Sequence, residues 1–518
     1  MIKLTTSIED YLRDESRAPG GAAEAVFLPE TEAETAELLR ACQNDGTPVT
    51  ISGARTGIAG GAVPHGGIVV ATDRLNRIER SGLDEASGEW RVTLGPGVSL
   101  RELQALDLAA RANGAPARRR FFFPVDATED SASLGGMAAT NASGAMSFGF
   151  GAVRNYVRAL RVVLAGGEIL SLRRREYLAG AGVDLRVRTE SGKEVAIPVP
   201  TYRTPPIKHM AGLYASTPLD AVDLFVGAEG SLGIITELEL ALIPVPMMLF
   251  GGLAFFPSEE AALGFVRTVR DEKPAGTESC RPVALEYFDA AALDLANRAE
   301  AREQLHIPPL PAAGAAVYFE QCCGEDEIEE LAGAWSVALE MNGSSLEGVW
   351  SSLEEKDRSR LKSLRHLVPE EVNRQVGINR RGCPAVHKVG TDLAVPHARL
   401  GELFRAYRAG LAREDIPAVI FGHIGDDNLH VNMLPQDEET LARAKALHLE
   451  WAALAVSLGG TVAAEHGIGK LKRALLRVMY RAEDLAEMDA VKKALDPKGI
   501  LCLGNGGFML DREPPARA

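Results

Sequence analysis

The sequence is poor in the residues that hold small secreted domains together. It has six cysteines in 518 residues, Cys42, Cys280, Cys322, Cys323, Cys383 and Cys502, with no CxxC spacing. So sparse a set excludes a disulfide framework, an iron–sulfur ligand run and a CxxCH haem attachment, and it predicts a reducing, cytoplasmic setting. Long apolar runs are lacking too. The greasiest stretch, Leu240–Phe256, is broken by Pro244, Pro246, Gly251 and Gly252, and reads as strand, domain boundary, strand. The acidic segment Met1–Arg17 lacks the apolar core of a signal peptide. Positive charge is in deficit: 56 basic against 71 acidic residues give −15, which argues against nucleic acid as a partner. An anionic small substrate stays compatible, because a local arginine or lysine reverses the field in a cleft. No GxGxxG, GxxxxGK[ST] or GxSxG occurs, which removes the usual Rossmann, P-loop and nucleophile-elbow readings.

What is present is an ordinary globular balance, 46% apolar and 25% charged, with glycine in excess at 52 residues. The length predicts two or three domains. The first half alternates short β-type runs with amphipathic segments: a helix over Thr31–Asn44, strands at Pro48–Ile51, Ile68–Ala71 and Glu89–Leu94, and a helix over Ser99–Asn113 opened by a Ser99/Glu102 capping box. Val157–Leu164 and Glu168–Ser171 flank Gly166-Gly167 as a hairpin. Residues 173–217 are basic and Pro-rich and read as an inserted excursion. Leu224–Val226, a glycine turn and Ile234–Ile243 close this half. The second half opens near Met247, with helices at Ser258–Asp271, Asp326–Asn342, Arg399–Glu414, Thr440–Leu458 and Glu483–Leu495. Strands at Val283–Phe288 and Ala315–Glu320 and a hairpin over Ala418–Leu434 complete it. The expected fold is α+β, with domains at 1–245 and 246–490 and a segment 491–518 returning to the first; the second is a ferredoxin-like α+β cap.

Three glycine clusters carry the first chemical signal. Residues 52–67 hold six glycines directly after a strand. Such a loop turns successive backbone N–H groups toward one point, as a pyrophosphate requires. Pro124–Gly144 is rich in small and hydroxyl side chains, which lets a flat ring pack against backbone. Gly227–Gly233 is the third cluster.

Ser52–Pro64, Asp126–Gly144, Asp223–Thr236, Gly422–Asn432 and Glu465–Lys470, in that order, resemble the FAD-linked oxidase family of the vanillyl-alcohol oxidase fold. Within it the chain is most similar to the D-2-hydroxy-acid dehydrogenase branch, which holds D-lactate dehydrogenase, the glycolate oxidase flavin subunit and D-2-hydroxyglutarate dehydrogenase. The resemblance runs from about residue 20 to 505. It implies a two-subdomain FAD-binding domain plus a cap. It assigns FAD contacts to Gly53, Arg55, Thr56, Gly57, Gly60, Gly61, Ser131, Gly135, Gly136, Thr140, Asn141, Gly144, Glu229, Gly230, Gly233 and Ile235. Some members tether FAD through a histidine of the first loop; here the loop has none up to Val63, so non-covalent FAD is expected.

The segment Phe421–Met433 carries the second signal. With Asp426-Asp427 as a two-residue turn, His423 faces His430 across a hairpin whose other face holds Ile424, Leu429, Val431 and Met433. Two opposed imidazoles suit zinc or a similar divalent ion. Glu465, before the Gly-Ile-Gly turn, supplies a carboxylate that completes an open site. The resemblance gives His423, His430 and Glu465 to a divalent metal, zinc or manganese, and proton abstraction to the neighbouring His466. Arg365 matches the family arginine that grips the substrate carboxylate. Lys388, Arg380 and Arg381 are further candidates, and Asn432 is expected at the substrate or flavin edge. The implied activity is oxidation of a D-2-hydroxy acid, with electrons passing to a quinone, a cytochrome or a partner flavoprotein. A homodimer and a peripheral position at the inner face of a membrane are compatible with it. The competing readings are an alcohol or sugar oxidase, an ether-lipid-synthase-like flavoenzyme and a non-catalytic flavoprotein subunit. The family's Asn-Pro-Gly-Lys after Asp496-Pro497-Lys498-Gly499 is replaced by Cys502-Leu-Gly-Asn505.

Overall fold

The computed structural model describes residues 1–106, 108–111, 118–506 and 508. Local chemistry sets its elements. Thr31 accepts from the Glu34 N–H at the start of helix Glu32–Asp45, and Gly46, at φ 75°, closes it. Its buried face, with Leu38, Leu39 and Cys42, packs on Val49, Val70, Val163 and Ile234.

The chain divides into two units. The first comprises Met1–Gly144, Gly151–Val245 and Ala463–Ala518; the second comprises Ala145–Phe150 and Pro246–Val462. In the first unit a four-stranded sheet runs Ile2–Leu4, Ala25–Leu28, Ile68–Ala71, Val49–Ser52, with the last three mutually parallel. A larger antiparallel sheet is built around Ile234–Pro244, which pairs with Val157–Val163 on one side and Trp90–Leu94 on the other. The expected return at residue 491 comes earlier. Helix Ala482–Leu495 already lies on strand Glu194–Pro198, and Thr201 donates both its N–H and its hydroxyl to Glu487. The excursion over 173–217 contains this strand, in a hairpin with Asp184–Arg188 that turns Leu185 and Val187 inward.

Two expected elements differ. The Ser99/Glu102 capping box is formed, but its helix spans only Leu100–Gln104. The following chain is drawn into sheet pairing instead, Ala109–Arg111 against Arg118–Phe122, with the Phe121 N–H donating to Leu108; residues 112 and 113 lie outside the described residues. Leu224 falls in a short helix, Ala221–Phe225, because Asp220 caps it by accepting from the Val222 N–H.

The second unit is one antiparallel sheet in the order Trp350–Ser352, Met248–Phe256, Ala315–Cys323, Ala284–Asp289, Ala418–His423, Asn428–Met433, Val389–Gly390. Trp335 stacks on Phe319 at 4.0 Å between ring centroids within its core. Helix Glu355–Gly382, absent from the sequence-based expectation, presses Leu364, Leu367, Val368 and Val372 into a core with Phe288, Tyr318 and Val419. Residues 145–150 join this unit because Ser147 donates to Asp426 and the Gly149 N–H donates to Val283.

The hairpin register also differs. Asp427 takes a left-handed φ of 55° and its N–H donates to Ile424, so the turn has four residues, Ile424–Asp427. His423 therefore pairs with Asn428, and His430 with Phe421. The slip is two residues, which preserves the face on which each side chain stands. His423 and His430 remain neighbours, with ring centroids 5.6 Å apart.

Candidate active site

The first glycine loop leaves strand Val49–Ser52 and is held by its carbonyls. The Gly53 carbonyl accepts from Arg55 Nη1 at 2.8 Å, and Ala59 accepts from the N–H groups of Lys470 and Leu471. Gly60 and Gly61 accept from Lys470 Nζ, and Gly61 also from Asn505 Nδ2 at 2.9 Å. Among the described residues, no acceptor meets the N–H groups of Thr56–Gly61. A loop whose carbonyls are tied back and whose N–H groups remain fits the pyrophosphate of a dinucleotide. Gly57 is exposed, and a Cβ built there meets nothing within 4 Å. Desolvation lowers the Lys470 ammonium from the usual lysine range.

The second and third clusters brace this loop. Ser133 accepts from the Ala54 N–H and caps helix Leu134–Ala139 at Gly136. Ser133 was not singled out in the sequence; the assigned Ser131 is exposed and donates to Glu129. A Cβ on Gly53 would stand 2.5 Å from the Ser133 hydroxyl, so this approach needs glycine. Gly135 packs on Pro96, Gly144 on Asp126 and Gly233 on Val162. Thr140 donates to the Gly136 carbonyl, and Asn141 accepts from the Arg154 N–H at 2.8 Å. Ile235 is buried in its strand, and Gly230 lies against Cys502 and Ile51. Glu229 turns its carboxylate to the N–H groups of Ile468 and Gly469, each at 2.7 Å, and burial raises its carboxyl above the ordinary range. It thus holds the turn that follows Glu465 and His466. In that turn Gly469, at φ 49°, lies so close to the Ala59 carbonyl that a Cβ would stand 2.1 Å from it.

Glu465 meets three partners in the first unit. Lys208, from the excursion, reaches it with its ammonium; Ser143 stands at 3.4 Å and His466 Nε2 at 3.0 Å. Lys208 escaped sequence reasoning because the excursion carries no periodic signal.

In the second unit, His423 Nδ1 lies 2.6 Å from Glu286 Oε1, and His430 Nδ1 donates to the Thr391 carbonyl at 3.1 Å. These partners orient the two rings, as hydrogen-bond acceptors do for ligating histidines. Ligand atoms of the two rings lie within 4.8 Å of each other. Two such imidazoles fit a divalent ion. Arg365, on the long helix, places Nε 3.9 Å from Glu286 Oε2, and its side chain is 8% exposed. Lys388 is half-buried beside Gly390, and desolvation lowers its ammonium. Asn432 spends its amide N–H groups on the carbonyls of His430 and Val419, bracing the hairpin. Arg380 and Arg381 fall in the last turn of the long helix.

A two-unit α+β chain with a dinucleotide-type loop and a histidine-bearing sheet has the organisation of a flavin-dependent oxidase. Residues 23–173 match the FAD binding domain and residues 251–505 the C-terminal domain of FAD linked oxidases. The chain belongs to the FAD-linked oxidase family. It is 29% identical over 506 residues to a probable mitochondrial D-lactate dehydrogenase of Danio rerio, covering 97% of this chain and 87% of the relative. It is 29% identical over 506 residues to D-2-hydroxyglutarate dehydrogenase of Xanthomonas citri pv. viticola, covering 95% and 91%. The fold is shared with 4-ethylphenol oxidase from Gulosibacter chungangensis, at TM-score 0.64 and 16% identity over 98% of this chain and 95% of that one. The protein is an FAD-linked oxidoreductase of the branch that holds these dehydrogenases. Among the described residues, no helix is long and apolar enough to cross a membrane.

Proposed function

We propose that this protein oxidises a D-2-hydroxy acid of the D-lactate, glycolate or D-2-hydroxyglutarate class to the 2-oxo acid. The observation that carries the reading is the His423–His430 pair, oriented by Glu286 and Thr391 within the unit that also presents the buried Arg365. His423, His430 and Glu465 would hold the metal, zinc or manganese. A divalent ion held there would lower the pKa of the substrate hydroxyl and fix the carboxylate. The three clusters would hold FAD non-covalently, and it would supply the hydride acceptor. Arg365 grips the substrate carboxylate through its planar fork, and Lys388 adds positive charge. His466 takes the hydroxyl proton as a neutral imidazole, its ring steadied by Glu465 at 3.0 Å. Electrons then pass to a quinone, a cytochrome or a partner flavoprotein, in the cytoplasm or at the inner face of a membrane.

The reading is tested by dialysing the yellow holoenzyme against a strong chelator and assaying dye reduction with D-lactate, glycolate and D-2-hydroxyglutarate. Activity should vanish and return with zinc or manganese. Activity that survives complete metal removal, verified by elemental analysis, would contradict the metal's role.

A further inference from the structure

We propose that Glu286 is a positioning residue that couples the two halves of substrate capture, metal and carboxylate grip, by holding His423 with one oxygen and Arg365 with the other. The inference rests on the proposed roles of those two side chains. Glu286 lies on strand Ala284–Asp289, in the middle of the sheet, opposite Tyr318 on one side and beside the His423 strand on the other. It is 4% exposed. Its Oε1 stands 2.6 Å from His423 Nδ1 and its Oε2 3.9 Å from Arg365 Nε. All three side chains are largely buried, at 5%, 13% and 8% exposure.

A buried carboxylate must be compensated, and here the compensation is shared between an imidazole N–H and a guanidinium. The neighbouring acid on the adjacent strand, Glu320, is matched instead by Lys362, one turn before Arg365 on the same helix, at 3.3 Å. The helix therefore lowers two cations onto two buried acids, and Glu286 is the acid that falls to Arg365. Its bond to Nδ1 fixes the His423 tautomer and ring orientation. The same charge keeps the Arg365 fork from swinging away. One side chain thus sets both the donor strength of a metal ligand and the aim of the carboxylate-binding group.

Glu286→Gln keeps the shape and removes the charge. The amide oxygen accepts more weakly from Nδ1, and the amide NH2 is repelled by the guanidinium. The test uses flavin-loaded, metal-loaded holoenzyme. Zinc affinity is measured by competition with a chelating dye, and the visible band of cobalt-substituted protein is recorded. Oxalate serves as the carboxylate probe and is titrated by the flavin absorbance change. In Glu286→Gln, zinc affinity should fall by about 10–100-fold, the cobalt band should shift, and oxalate should bind about tenfold more weakly as the ion pair that aims Arg365 is lost. Flavin content should match wild type, because Glu286 lies in the other unit from the glycine loops; the thermal melt should fall, since Arg365 loses a buried counter-charge. Glu286→Asp keeps the charge on a shorter arm and should give smaller losses on both measurements; it decides by the same criteria if the Gln variant does not fold. Zinc or oxalate affinity within about twofold of wild type in the variants overturns the coupling. Wild-type protein that takes up no zinc overturns the metal reading, and this proposal with it, and is told apart because the wild-type arm alone reports it.

Discussion

His209 provides a sharp test of the electrostatics of the first unit. The residue follows Lys208, the lysine that meets Glu465, and precedes Met210, whose N–H donates to Ala463. Its Nε2 lies 3.3 Å from the Tyr480 hydroxyl. Burial pushes the imidazole down from 6.5 to about 4, and Arg154 adds to the effect against a hydrogen bond to Ala211. The sign follows from linkage. The folded protein keeps His209 neutral where the unfolded chain protonates it, so its contribution to stability is complete above pH 6.5. It drains away as pH falls from 6.5 toward about 4. Between about pH 7.5 and about pH 5 the loss is about 2 kcal/mol, from a total of about 3 kcal/mol. His209→Gln cannot take up the proton. Urea unfolding of holoenzyme, followed by flavin fluorescence, should show the stability gap between wild type and His209→Gln shifting in the variant's favour by about 2 kcal/mol on acidification. Parallel pH profiles for the two proteins would refute the reasoning.

Other outcomes follow from the same geometry. Lys470→Met deprives the Gly60 and Gly61 carbonyls and Asn505 of their common donor, so FAD should dissociate about 10–100-fold more readily, measured by ultrafiltration. Arg365→Lys keeps the charge but loses the fork; KM for the hydroxy acid should rise about tenfold or more with a smaller change in kcat. Acid precipitation should leave the flavin in the supernatant, and yellow colour in the pellet would mean a covalent link.

The parts of this molecule legible in its sequence are those written as local chemistry. The Ser99 cap, the helix that begins after Thr31, the strands either side of the Pro244–Pro246 break and the glycine loops were readable because each depends on a few neighbouring residues. The face of the histidine hairpin was readable by parity, although its turn was not: the left-handed Asp427 is held by Arg270 and His397, both distant in sequence. Helix Glu355–Gly382 was obscured by its high charge, yet the spacing Leu364, Leu367, Val368, Val372 carries the helical period. Lys208, Ser133 and Glu286 were invisible for a common reason. Each acts through a partner far along the chain, at Glu465, Ala54 and His423, and no local pattern encodes such a pairing.

The central claim is tested most directly by anaerobic stopped-flow reduction of the bound flavin across a panel of D- and L-2-hydroxy acids, simple alcohols and sugars, for wild type and His466→Ala. The account predicts rapid bleaching of wild type by a D-2-hydroxy acid, little by its L enantiomer or by alcohols and sugars, and a variant that stays yellow, slowed by about 100-fold or more. Bleaching by alcohols or sugars but by no 2-hydroxy acid would contradict the proposed activity, and full bleaching of His466→Ala would remove His466 from the role of base.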